Sequence, residues 1–223
     1  VGELLNPASG IRDDVESLAP DELIRFVKSV FRRDARGWLG AKVHTHQLYE
    51  LPISLSVLLE CAVRPRVIVL YRESLLDTYV SLEIALRNGV WYSTDSVNTE
   101  AVFVDWKQFL AYSERERARW TESMEALTTC GCESLVLSFE RLVANTQPVM
   151  DEVFHFFGLG SVAVETDSVR QNPHSLAQKV LNWCDLPATK NGAACRLSLL
   201  VPSGVASQGA TGLWLTGARQ MPE

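Results

Sequence analysis

The run Arg66-Val-Ile-Val-Leu-Tyr-Arg72 constrains this chain most. It is short, unbroken and rich in β-branched residues, the pattern of a strand buried on both faces. Glu73 to Gly89 follows as a helix: Ser74 with Asp77 fits a capping box, and Asn88-Gly89 supplies the stop. Leu75, Tyr79, Leu82 and Leu86 cover one side of that helix, and Leu76, Val80 and Ile84 another. Ser81 is left on a polar strip beside Asp77 and Thr78. Arg72 therefore stands where a buried strand ends and a helix begins, the place where α/β proteins hold anions. Ser81 lies roughly 9 Å along the helix at about 1.5 Å per residue. A guanidinium and a hydroxyl so spaced can close on one phosphate from two sides. A capped core helix with a snorkelling arginine fits the same residues equally well.

Upstream, Gly37 to His46 reads as a strand leaving a glycine-bounded turn, with Lys42, His44 and His46 on one face. His-x-His is a possible metal pair, but spacing places no third ligand. A general base at the strand's carboxyl end and a plain surface pair both remain open, since imidazole titrates near neutrality. Pro52 opens a helix through Leu59, and Arg64-Pro65 turns the chain into the central strand. Strand, helix, strand, helix in close succession is the pattern of a parallel sheet flanked by helices, so the expected fold class is α/β.

The remaining elements continue the pattern. Asp21 to Arg33 and Asp105 to Leu127 read as amphipathic helices, the second with a solvated face at Glu114 to Arg119. Ser134 to Ser138 reads as a buried strand, and Thr146 caps a helix that Gly158 ends. Asn172-Pro173 starts a helix to Cys184 with Leu176, Val180 and Trp183 inward. From Pro187 onward Gly, Ala, Ser and Thr dominate and no period persists. The expected organisation is one domain over residues 1–186 and a disordered or loosely packed tail over 187–223.

Charge and cysteines narrow the function classes. A formal charge of -6 over 223 residues, with no basic stripe, argues against a nucleic-acid partner. No run is apolar enough to span a bilayer, and no basic-then-apolar leader opens the chain. The 5 cysteines have no framework spacing, which suits a reducing, cytoplasmic setting. Cys130-Gly-Cys132 is too tight for a zinc knuckle, and no metal is expected.

Three pieces carry a family likeness as a set: the Arg72 to Ser81 strand-to-helix unit; Leu135-Val-Leu-Ser-Phe-Glu-Arg-Leu142 continuing to Phe156-Phe-Gly-Leu159; and Arg170-Gln-Asn-Pro173 with the helix ending Leu181-Asn-Trp-Cys-Asp-Leu186. In this order they resemble sulfotransferases that use 3′-phosphoadenosine 5′-phosphosulfate (PAPS), especially the bacterial branch related to nodulation and carbohydrate sulfotransferases. The resemblance covers roughly residues 1–186 and implies a P-loop-NTPase-like architecture. It also implies that Arg72 and Ser81 hold the nucleotide's 3′-phosphate, with Arg170 facing the nucleotide or lying on the surface. Thr45-His46 looks like the family's Thr-His pair, which makes His46 a base. Val1 to Pro7 is similar to the segment after the sulfate-binding loop, which makes Glu3 the competing base. The family's loop for the 5′-phosphosulfate belongs ahead of Glu3 and is absent from this chain, so the fold reads as N-terminally incomplete.

The chemistry so implied is transfer of a sulfuryl group from PAPS to a hydroxyl or amine of a small-molecule or carbohydrate acceptor, without metal. By analogy with phosphoryl transfer the transition state is loose, so alignment and charge neutralisation carry catalysis. Without the upstream loop, transfer is expected to be poor or absent. A non-catalytic relative that binds nucleotide or a partner is the rival reading. A P-loop kinase ranks last, because no Gly-x-x-x-x-Gly-Lys-Ser/Thr occurs. The acceptor and the oligomeric state are not legible.

Overall fold

The computed structural model describes residues 2, 3, 5, 14–32, 39–91, 100–166, 174–187 and 212–217, with backbone alone at 2, 3, 32, 39 and 212–217. The chain is mixed α/β. Strands β1 (Gly2–Glu3), β2 (Leu39–Val43), β3 (Pro65–Tyr71), β4 (Glu133–Ser138) and β5 (Gly212–Gly217) form one sheet in the order β1-β2-β5-β3-β4.

Two parallel pairs make up most of this sheet, β1 with β2 and β3 with β4. The middle strand β5 runs antiparallel to both of its neighbours. The expected parallel sheet is therefore a mixed one, and six residues of the tail stand at its centre. The physical reason is main-chain satisfaction. The inner edges of β2 and β3 each present a row of N–H and C=O groups, and a short run bounded by Gly212 and Gly217 pairs with both rows. The rest of 188–223 lies outside the described residues.

Strand β3 is covered on both faces, as its unbroken apolar run requires. Val67, Val69 and Tyr71 face a core built with Leu23 and Val27 of α1 (Pro20–Arg32), Leu58 and Leu59 of α3 (Leu55–Glu60), and Trp120 and Leu127 of α5 (Trp106–Cys130). Ile68 faces the other way, with Leu137, against Val149 and Val153 of α7 (Thr146–Phe156). A third cluster joins α4 (Leu75–Asn88) to α5 through Leu76, Tyr79, Val80, Phe109 and Tyr112, with Val102, Val104 and Val180.

The helix ends follow their local chemistry. Ser74 Oγ accepts from the Asp77 N–H at 3.1 Å, and Asp105 caps α5 by accepting from Lys107 and Gln108. Gly89 and Gly131 close α4 and α5 in the left-handed conformation, at φ 67° and 61°. Two stretches depart from expectation. Strand β2 stops at Val43, and a short helix α2 (Gln47–Glu50) follows, so His44 and His46 lie in the turn between them. Of the helix foreseen from Asn172 to Cys184, residues 172 and 173 lie outside the described residues, and the described part holds α8 (Leu176–Lys179) and a 3-10 turn (Trp183–Asp185), broken where Val180 pairs with Val102. There the Val102 N–H donates to Lys179 O and the Leu181 N–H to Val102 O, and those bonds replace helical ones.

Candidate functional site

The site is built on the carboxyl edge of β3 and β4. Tyr71 and Ser138 are paired in register, so Arg72 and Phe139 each stand one residue beyond the sheet. The Arg72 guanidinium carbon sits 4.5 Å from the centre of the Phe139 ring, a cation–π contact. Just beyond it, α6 (Phe139–Ala144) turns Glu140 back, and its Oε2 accepts from the Glu73 N–H at 3.0 Å.

Helix α4 supplies the second half. Leu75, Leu76, Tyr79 and Val80 are buried, which leaves the strip of Asp77, Thr78 and Ser81 on another side, with Asp77 and Ser81 beside Arg72. Arg72 Nη1 lies 3.4 Å from Ser81 Oγ, the long end of hydrogen-bond range, and 3.7 Å from Asp77 Oδ2. The arginine side chain is 27% exposed, so it is neither locked in the core nor loose on the surface. The structure thus brings together the two residues that spacing had paired.

A third residue joins them that sequence reasoning passed over. Lys179 of α8 places its ammonium against Asp77 Oδ1, and its side chain is 3% exposed. Its one sequence signal is position: it shares a helical face with the inward Leu176, three residues before it. Asn182 pins the same segment, its Oδ1 accepting from the Val104 N–H at 2.9 Å and its Nδ2 donating to Val104 O at 3.0 Å.

Two buried phenols stand close to the site, Tyr71 next to Arg72 in the chain and Tyr112 near enough to feel its charge. Burial pushes the Tyr71 hydroxyl above its usual range; Glu73 and Glu140 add to this, and the hydrogen bond with Ser138 opposes it. Burial does the same to Tyr112, with Glu116 adding and Arg119, Arg72 and Arg115 opposing. Both are neutral at physiological pH.

The other expected residues are placed as follows. His46 is exposed at the start of α2, and its ring stacks on His44 with centroids 5.4 Å apart. Leu213 pairs with both Val43 and Val69, so β2 and β3 leave the sheet at the same edge, with only β5 between them. At about 4.8 Å per strand, His46 and Arg72 are separated laterally by roughly 10 Å. Glu3 sits in β1 opposite Lys42, one strand further out. Arg170 lies outside the described residues, as do 92–99 and 167–169. Among the described residues no group of three or more His, Cys, Asp or Glu is placed to hold a metal ion, and no helix is long and apolar enough to cross a membrane.

Comparison with family models, curated proteins and solved structures finds no match to this chain.

Proposed function

We propose that the Arg72–Ser81 clamp holds the outlying phosphate of an adenosine bisphosphate nucleotide, and that the chain is a sulfotransferase-type domain acting on PAPS. One observation carries the reading: a half-buried guanidinium and a helix hydroxyl stand 3.4 Å apart at the carboxyl edge of the sheet. That edge is where α/β folds bind ligands, and a phosphate monoester has the acceptor oxygens to replace the long Arg–Ser contact with two shorter ones. In this reading the architecture is the P-loop-like one of the family. His46, at the same edge, takes the acceptor's proton, with Glu3 as the competing base, and Arg170 approaches the nucleotide. The acceptor is a small molecule or carbohydrate presenting a hydroxyl or amine.

Nucleotide binding without transfer is the second reading, and the direction of β5 favours it. An anion loop of the phosphate-binding kind follows the carboxyl end of a central parallel strand. Here β5 runs the other way, and Gly217 pairs with Leu39 and Pro65 at the opposite edge from Arg72.

Transfer of radiolabelled sulfate from PAPS across a panel of hydroxyl and amine acceptors, beside calorimetric binding of adenosine 3′,5′-bisphosphate, tests both readings. Arg72→Met and Ser81→Ala are expected to weaken bisphosphate binding by at least tenfold and about fivefold respectively. Equal affinity in all three proteins sinks the assignment. Binding without label transfer selects the second reading, and loss of transfer in His46→Ala or Glu3→Gln identifies the base.

A further inference from the structure

Lys179 is the one charged side chain among the described residues that is buried. A buried ammonium persists only when paired, and such a pair adds little to stability, so what it does for its neighbours matters more. Its partner Asp77 has two oxygens. Oδ1 is taken by Lys179, while Oδ2 makes a long ion pair with Arg72 Nη1 at 3.7 Å, beyond hydrogen-bond length. The Ser81 hydroxyl and the Phe139 ring, which also touch Arg72, carry no formal charge, and neither does the nearby Tyr112 phenol. Two cations therefore share the Asp77 carboxylate, and the more exposed of them, Arg72, is the one an incoming anion can reach.

We infer that Lys179 is a positioning residue for Arg72: by holding Asp77 in a buried pair it keeps that carboxylate from closing on the guanidinium in a direct hydrogen-bonded pair, and the guanidinium's donors stay available to a phosphate monoester. The inference rests on the nucleotide reading above. Without the ammonium, a rotation of the Asp77 side chain converts the long approach into a direct Arg72–Asp77 pair, and an incoming phosphate must then displace a carboxylate.

The test uses the full chain and two probes, adenosine 3′,5′-bisphosphate and adenosine 5′-monophosphate, titrated calorimetrically at one salt concentration with Tm recorded for each protein. Lys179→Met is expected to weaken the bisphosphate about tenfold and leave the monophosphate unchanged. Asp77→Asn/Lys179→Met is expected to return bisphosphate affinity to within about threefold of the parent, because the competing carboxylate is gone. A double variant as weak as Lys179→Met overturns the inference, and so does an unchanged ratio of the two affinities in Lys179→Met, the outcome of a purely structural tie. Failure of the underlying reading looks different: Arg72→Met then binds the bisphosphate like the parent, and the inference falls with it.

Discussion

Arg72 and Phe139 meet because β3 and β4 are in register: Tyr71 faces Ser138, and the next residue of each strand turns to the same side. The ring, 4.5 Å from the guanidinium carbon, holds the arginine from beneath while leaving its charge intact. Phe139→Leu keeps an apolar side chain and removes the π face. Adenosine 3′,5′-bisphosphate affinity is expected to fall about three- to fivefold, the worth of a half-exposed cation–π contact, with little change in Tm. Calorimetric titration against the parent protein checks it, and a Tm drop with unchanged affinity would show the ring to be packing alone.

Asn182 acts as a substitute strand for Val104, taking its N–H and its C=O at 2.9 and 3.0 Å. Val104 is 1% exposed, so water does not replace those partners. Asn182→Ala is expected to destabilise the protein by about 2–3 kcal/mol, read from urea denaturation. Asn182→Asp keeps the acceptor and loses the donor, and should fall between the two.

Tyr112 gives the fold an alkaline limit. Its phenol is held above its ordinary range chiefly by burial, so the folded state keeps a proton that the unfolded chain releases. The resulting stability is complete below about pH 10, the unfolded value, and declines as pH rises towards the folded one. Tyr71 and Tyr49 shift in the same direction. Tyr112→Phe is therefore expected to shallow the loss of stability between about pH 10 and 11 by up to about 1.4 kcal/mol per pH unit. Parallel denaturation curves for parent and variant over that interval would refute it.

The parts of the fold legible in sequence are those whose information is local. The run from Arg66 to Tyr71 needs no distant partner to announce a buried strand, and Ser74, Asp105, Gly89 and Gly131 mark their helix ends through neighbouring backbone. The pairing of Arg72 with Ser81 was legible for the same reason, both lying on one strand–turn–helix unit. Strand β5 was not, because its reason to exist is two unsatisfied edges far away in sequence. The break at Val180 depends likewise on Val102, a long-range partner that overrides a helical period. Lys179 was missed because charge reads as solvent-facing until Asp77 is seen beside it.

The position of β5 also bears on how the molecule comes into being. Leu213 must slide between Val43 and Val69, and both are synthesised long before it. Until that late segment is in place, the β1–β2 and β3–β4 pairs are not linked by strand hydrogen bonds, and each shows an open edge to chaperones or to other nascent chains. Assembly is thus slow for the chain's size, since the closing contacts are among its most distant in sequence.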